Sequence, residues 1–294
     1  MRNFDETSIT NAVLERLVDT PSPRIREISA ALVRHLHAFV REVRPTETEW
    51  AAGIDFLTRT GQLCSPTRQE FILLSDALGV SMLVDAINHP GAAGTTETTI
   101  LGPFYVADPP EQPLGADISG GEHGTPLLVE GTVRGGPDGA ALPQAWVETW
   151  HANADGYYDV QSPAAEPDLH MRARFRTDAQ GRFWFRTIVP SSYPIPNDGP
   201  VGQMLAAQGR HPYRPAHVHF MVGAPGFETL VTHIFLAGDP YIDSDVVFGV
   251  KDSLIRSLEH QKVGTATPGG HLTDTDTELL RYDFVLAPTH IGAR

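Results

Sequence analysis

Cysteine occurs once in the 294 residues, at Cys64. A single thiol excludes an intrachain disulfide framework, a cysteine zinc site and an iron–sulfur cluster. Its expected place is that of a small buried hydrophobe. Basic residues are also scarce: 22 Lys and Arg stand against 36 Asp and Glu, for a net charge of −14. That balance argues against nucleic acid and anionic membrane surfaces as partners. A local arginine inside an acidic protein still attracts a small anion. No run of about 18 apolar residues is present, so no membrane span is expected. Residues Met1 to Glu6 lack an apolar leader, and cytoplasm is the expected compartment. The chain length suits one large domain or two smaller ones, and a hydrophobic share of 41% is that of a protein with a real core.

Residues 1 to about 90 have helical grammar. Ile25, Ile28, Leu32, Leu36, Phe39 and Val43 recur at three-four spacing on one face, and Pro45 closes that helix. Thr46-Glu47-Thr48-Glu49 forms a capping box, after which Trp50, Ile54 and Leu57 carry the next stripe. Ser65-Pro66-Thr67-Arg68-Gln69-Glu70 offers a further start, with Pro in the first turn and Glu three after Thr67. Phe71, Leu74 and Leu78 then carry the face, which continues through Met82 and Ala86 past a candidate break at Gly79. Four helices are expected.

After His89-Pro90-Gly91 the pattern becomes short alternating runs between Gly and Pro signals. Candidate strands cover 127–133, 146–151, 183–188, 217–222 and 229–236. Asp178-Ala179-Gln180-Gly181 reads as a turn, and 245–259 as the setting of a short helix. The fold class is α+β: a helical region over 1–95, then a mainly antiparallel β-sandwich over 96–294.

The segment Arg214-Pro215-Ala216-His217-Val218-His219-Phe220 places two histidines two apart in an alternating run. Strand side chains repeat every two residues, so both imidazoles share one face and can hold one metal ion. A same-face pair can equally be two buried, hydrogen-bonded side chains. Upstream, Tyr157 and Tyr158 follow a strand running into a polar turn, and Tyr193 follows a strand running into a Pro-rich loop. Strand ends are where sites are commonly built. Histidine with tyrosine, and no cysteine cluster, points to a hard, oxidised metal such as ferric iron.

Four segments taken in order resemble the intradiol ring-cleaving dioxygenases, in their catechol 1,2-dioxygenase branch. They are Gly102-Pro103-Phe104-Tyr105-Val106, Trp150-His151-Ala152-Asn153 through Tyr158, Arg186-Thr187-Ile188-Val189-Pro190 through Tyr193, and Arg214 through His219. The resemblance covers nearly the whole chain. Arg34-His35-Leu36-His37, Gln69 through Asp76, Val231 through Phe235 and Asp243 through Val250 are most similar to the hydroxyquinol 1,2-dioxygenases of that branch. Catechol-cleaving members usually carry Gln where this chain has His233.

The resemblance implies one Fe(III) per subunit, held by Tyr158, Tyr193, His217 and His219. Tyr157 falls on the opposite face and is left out. The implied substrate is hydroxyquinol, opened by O2 between adjacent hydroxyl-bearing carbons to 3-hydroxy-cis,cis-muconate/maleylacetate. Catechol or a chlorocatechol is the alternative within the family. The resemblance further implies that Tyr193 leaves the metal and takes a proton as the diol enters, and that Arg214 stabilises negative charge on the ring. His233 is implied near the site as an orienting or electrostatic group. The expected pocket wall is Pro103 and Phe104 with Val246 and Val247 opposite, and Asp85 is the candidate partner for the third hydroxyl. A homodimer through the N-terminal helices, with room for a phospholipid, is also implied.

Two readings outside the family remain open on the residues alone. A His-x-His pair with a later carboxylate suits a cupin-like Fe(II) oxygenase, but Glu228 follows His219 by nine residues, wider than a cupin motif prefers. A sandwich can also be a binding module without metal.

Overall fold

The computed structural model describes residues 2–65, 68–91, 94–136, 139–161 and 169–289. The chain divides into two compact units, Met1–Gln62 and Leu63–Arg294.

The first unit holds α1 (Ile9–Glu15), α2 (Pro23–Val43) and α3 (Glu47–Gln62). The Ser22 hydroxyl accepts from the Ile25 amide, with Pro23 in the first turn, so α2 starts where its sequence supplies both cap and pre-set φ. It ends at Arg44, whose φ of 47° is left-handed, because Pro45 disfavours the helical region for the residue before it. The capping box forms as read: the Thr46 amide donates to Glu49 Oε2 at 2.8 Å and the Glu49 amide to Thr46 Oγ1 at 3.2 Å. α1 packs on α2, with Thr10 Oγ1 3.0 Å from His37 Nδ1. The stripe from Ile25 to Val43 is exposed throughout.

The second unit opens with α4 (Glu70–Ala77) and α5 (Val80–Asn88). Among the described residues, five helices therefore stand where four were expected. Gly79, at φ +72°, caps one helix and starts the next, a conformation that suits glycine. Pro66 and Thr67, expected in a helix start, lie outside the described residues. The helix itself begins later, at Glu70 after Gln69. Cys64 is half-buried rather than buried.

Thirteen strands follow among the described residues: β1 (Pro126–Gly135), β2 (Ala140–Ala141), β3 (Trp146–His151), β4 (Arg172–Arg176), β5 (Arg182–Ile188), β6 (Tyr193–Pro194), β7 (Tyr213–Arg214), β8 (His217–Gly223), β9 (Leu230–Leu236), β10 (Ile255–Arg256), β11 (Glu259–Gln261), β12 (Thr277–Arg281) and β13 (Phe284–Leu286). α6 (Pro200–Ala207) lies between β6 and β7, and Asp252–Leu254 forms the short helical turn expected within 245–259. One sheet runs β11-β12-β1-β13 with β2 and β5 also on β1; the other runs β10-β9-β8-β3-β4; β6 and β7 pair apart. Most pairings are antiparallel, while β1–β12, β1–β13 and β9–β10 are parallel, so both large sheets are mixed. Leu127, Val129, Phe183 and Phe185 of the first sheet meet Val147, Phe175, Val218, Phe220 and Val222 of the second in one core. That packing fixes the register of β8: Val218, Phe220 and Val222 enter the sandwich, and His217 and His219 turn to the opposite face.

Candidate metal centre

On that opposite face, the register aligns a row across four strands: Arg172 of β4, Trp150 of β3, His219 of β8 and His233 of β9. Tyr158 arrives from the turn after β3 and Tyr193 from β6, and both are buried against Trp150. The donor atoms form a continuous chain. Tyr193 Oη is 3.2 Å from Tyr158 Oη, which is 3.0 Å from His219 Nε2, itself 3.1 Å from His217 Nε2. Tyr157 is exposed and takes no part.

Local bonds prepare each ligand. His217 Nδ1 is 2.7 Å from the Pro215 carbonyl, which places its proton there and turns the Nε2 lone pair toward His219 Nε2 and Arg214 Nη1. His219 has no such bond, and its buried Nδ1 lacks a partner. Its ring is held instead by Trp150, stacked at 4.6 Å and 15°, and by Gly102. Gly102 sits at φ +81°, and a Cβ there would come within 3.0 Å of His219 Cε1.

Burial pushes His217 and His219 well below the ordinary imidazole range, reinforced by Arg214 at His217 and by His233 and His217 at His219. They are therefore neutral, the state a metal ligand needs. Burial drives Tyr158 well above the ordinary phenol range, and Tyr193 adds to it. Tyr193 is also raised by burial, with Arg214 pulling the other way. Without a cation both phenols keep their protons, and a highly charged ion between them reverses that preference. Four buried donors, two anionic on binding, fit a hard trivalent metal.

His217, His219 and His233 also form a group of three whose donor atoms lie within 4.8 Å of one another. His233 Nδ1 is 3.4 Å from Arg214 Nη2, while its buried Nε2 has no hydrogen-bond partner. Burial and the Arg214 charge hold His233 neutral as well. Arg214 is itself buried and points Nη1 at His217 Nε2, 3.3 Å away. Asp245 aims it: Arg214 Nε donates to Oδ1 and Nη2 to Oδ2, both at 3.2 Å, while the Gly249 amide donates to Oδ2 at 2.9 Å.

Of the expected pocket residues, Phe104 stacks on Tyr158 at 4.4 Å and 24°. Pro103 and Asp85 line a cavity of about 430 Å³ with Asp76, Ser81, Ile100 and Gly102, the last of which abuts His219. Val246 and Val247 do not line that cavity. They are buried with Leu73, Ala77, Ile195, Val201 and Leu205, packed behind α4. Asp85 is already engaged: Thr98 Oγ1 donates to it at 2.9 Å, His89 Nδ1 lies at 2.9 Å and Lys251 Nζ at 3.6 Å. Asp76 is the carboxylate the sequence reading missed. Burial raises its pKa, with the Ser81 hydroxyl and the Arg214 charge opposing. Its signal was a charge on the apolar face of α4, between Leu73 and Ala77. Asp245, 31 residues from Arg214, offered no local signal.

Residues 100–288 match the family described as Dioxygenase, and residues 22–96 the one described as Catechol dioxygenase N terminus. The chain belongs to the intradiol ring-cleavage dioxygenases. This dioxygenase is 52% identical to 6-chlorohydroxyquinol 1,2-dioxygenase of Cupriavidus pinatubonensis, over 98% of this chain and 100% of that one. It is 50% identical to hydroxyquinol 1,2-dioxygenase of Rhizobium sp., over 97% and 96% of the two chains. The solved structure of hydroxyquinol 1,2-dioxygenase from Pseudomonas putida DLL-E4 matches with a TM-score of 0.91 at 46% identity, covering 96% of this chain and 98% of that one. The family resemblance drawn from the four segments is thus borne out. No helix among the described residues is long and apolar enough to cross a membrane.

Proposed function

We propose that this dioxygenase opens the ring of hydroxyquinol, with one ferric ion per subunit held by Tyr158, Tyr193, His217 and His219. The observation that carries the reading is the meeting of two buried phenols and two neutral imidazoles in one unbroken chain of contacts of 3.0 to 3.2 Å. When bound, ferric iron supplies Lewis acidity toward the diol oxygens and a path for electrons from the ring to O2.

The remaining chemistry belongs to side chains. Tyr193 Oη is the base for a diol proton: burial makes its phenolate strongly basic, and Arg214 keeps that phenolate accessible. Arg214, fixed by Asp245, presents an unneutralised Nη1 edge toward the site, where negative charge grows on the ring. His233 steadies Arg214 from the next strand, and the family resemblance assigns it this orienting role rather than that of an iron ligand. Pro103 and Phe104 wall the ring, and Val246 and Val247 back the wall. Asp76 takes the role expected of Asp85 and receives the third hydroxyl, because the Asp85 oxygens are held by Thr98, His89 and Lys251. The names of the relatives most similar in sequence support the triol over catechol or a chlorocatechol.

The test is oxygen uptake by iron-loaded protein with hydroxyquinol and with catechol, corrected for autoxidation. Rapid uptake with hydroxyquinol and little with catechol is expected. Asp76→Asn should reduce the preference by about 10- to 100-fold, the worth of one buried hydrogen bond to a charged group. Preference for catechol overturns the substrate, and inactivity despite bound iron overturns the reaction. We also infer a homodimer through the N-terminal helices with room for a phospholipid. The exposed stripe on α2 supports the pairing, and lipid extraction with mass analysis tests the lipid.

A further inference from the structure

We propose that Arg172 is a positioning residue that locks the pocket wall at Phe104 to the ligand at Tyr158, and so sets the room left for the ring. The proposal rests on the reading of the site above. Arg172 stands at the end of the row across the sheet, on the same face as Trp150 and His219, and its side chain is buried. It touches neither histidine. Its fork is divided between two segments that are far apart in sequence. Nε donates to Asp159 Oδ2 at 2.6 Å and Nη2 to Asp159 Oδ1, while Nη1 donates to the Phe104 carbonyl at 3.1 Å.

Both targets adjoin the site. Asp159 follows Tyr158 directly and also accepts the Val160 amide at 2.8 Å, so it orders the turn that presents the phenol. The Phe104 ring lies flat on the Tyr158 ring at 4.4 Å and approaches Tyr193 edge-on at 6.3 Å. Wall and ligand thus meet twice, once through their rings and once through a guanidinium.

A fold that needed only filled volume here would do as well or better with an apolar pair, since a buried ion pair gains little net stability. What an arginine adds is geometry. Its planar fork serves a carboxylate and a carbonyl at once, and a lysine ammonium does not reproduce both directions. Arg172→Lys should keep the charge beside Asp159 and release Phe104.

The experiment is a double-mutant cycle on the full-length, iron-loaded protein with Arg172→Lys, Phe104→Leu and the double variant. Hydroxyquinol is the substrate. If Arg172 acts through Phe104, each single variant raises KM about ten-fold with kcat within about three-fold, and the double variant is no worse than either. The visible phenolate-to-iron absorption band shifts in Arg172→Lys. A purely structural arginine lowers the melting temperature and leaves KM and the band of the folded protein unchanged. Folded Arg172→Lys with wild-type KM and band overturns the proposal, as do effects that add to those of Phe104→Leu. Arg172→Met serves as a harsher second variant, and if it fails to fold, Arg172→Lys decides. Should wild-type protein bind iron yet cleave no diol, the functional reading fails alone, and the band comparison still tests the link between Arg172 and Tyr158.

Discussion

On α2, Ile25, Ile28, Leu32, Leu36, Phe39 and Val43 form a regular apolar stripe, and all of them are exposed. On β8, Val218, Phe220 and Val222 alternate with His217 and His219, and both sets are buried. Amphipathic periodicity has opposite meanings in the two places. A strand with both faces covered must satisfy its polar face from within, and here that face gathers phenols, imidazoles and an arginine. A helix whose apolar face is uncovered within its own chain asks for a partner outside it.

The comparison breaks first at the ligands. His219→Ala is expected to abolish stoichiometric iron and ring cleavage while leaving the sandwich folded, because the side chain contributes nothing to the Val218–Phe220–Val222 face. Metal analysis with circular dichroism checks this, and full iron occupancy in the variant would remove His219 from the ligand set. One residue along, the same strand should answer in reverse. Phe220 is fully buried between Phe183 and Phe284, so Phe220→Ala should cost about 3–5 kcal/mol in unfolding free energy. Its folded fraction should still bind iron. Equal effects of the two substitutions on stability would show that the faces are not separate in function.

A pH dependence sharpens the same contrast. His151 ends β3, with Nδ1 2.8 Å from the Ala152 carbonyl and Nε2 2.7 Å from Thr187 Oγ1. Burial lowers its pKa to about 4 from the ordinary 6.5. The folded value lies below the unfolded one, so this contribution is fully present above about pH 6.5 and is lost as pH falls toward 4. The whole shift corresponds to about 3 kcal/mol, of which about 2 is gone at pH 5. Urea unfolding at pH 7.5 and pH 5 should show a smaller loss in His151→Gln than in wild type. Identical losses would mean that His151 is not the buried neutral group described.

Legibility in the sequence followed how local the signal was. The capping box, the strand of the two histidines and the turn at Asp178–Gly181 depend on neighbours in sequence, and all three formed where read. β4 was not anticipated, although Arg172, Arg174 and Arg176 alternate with Ala173 and Phe175 as a strand requires. Arg172 is buried, matched by Asp159 across 13 residues. The site divides the same way. Tyr158, Tyr193, His217 and His219 were found through a family resemblance, and structure brings their donor atoms together. Arg214 needs Asp245, and Asp76 joins the expected Asp85 on the cavity wall as the proposed partner of the third hydroxyl. Those assignments depend on which carboxylate is already engaged, which only the folded chain shows.

The smallest expected effect on the fold comes from the exposed stripe, and it tests the other half of the comparison. Leu36 and Phe39 are more than half exposed, so replacing both with Lys removes little buried area from the chain itself. Unfolding free energy at low protein concentration should change by no more than about 0.5 kcal/mol, as for surface sites generally. If the stripe is the face on which two copies meet, the same variant should sediment as a monomer where wild type sediments as a dimer. Its iron content should stay unchanged, because the proposed ligands all lie within Leu63–Arg294. A double variant that stays dimeric would move the pairing surface elsewhere. One that loses several kcal/mol as a monomer would mean the stripe is covered by its own chain, and the contrast with β8 would disappear.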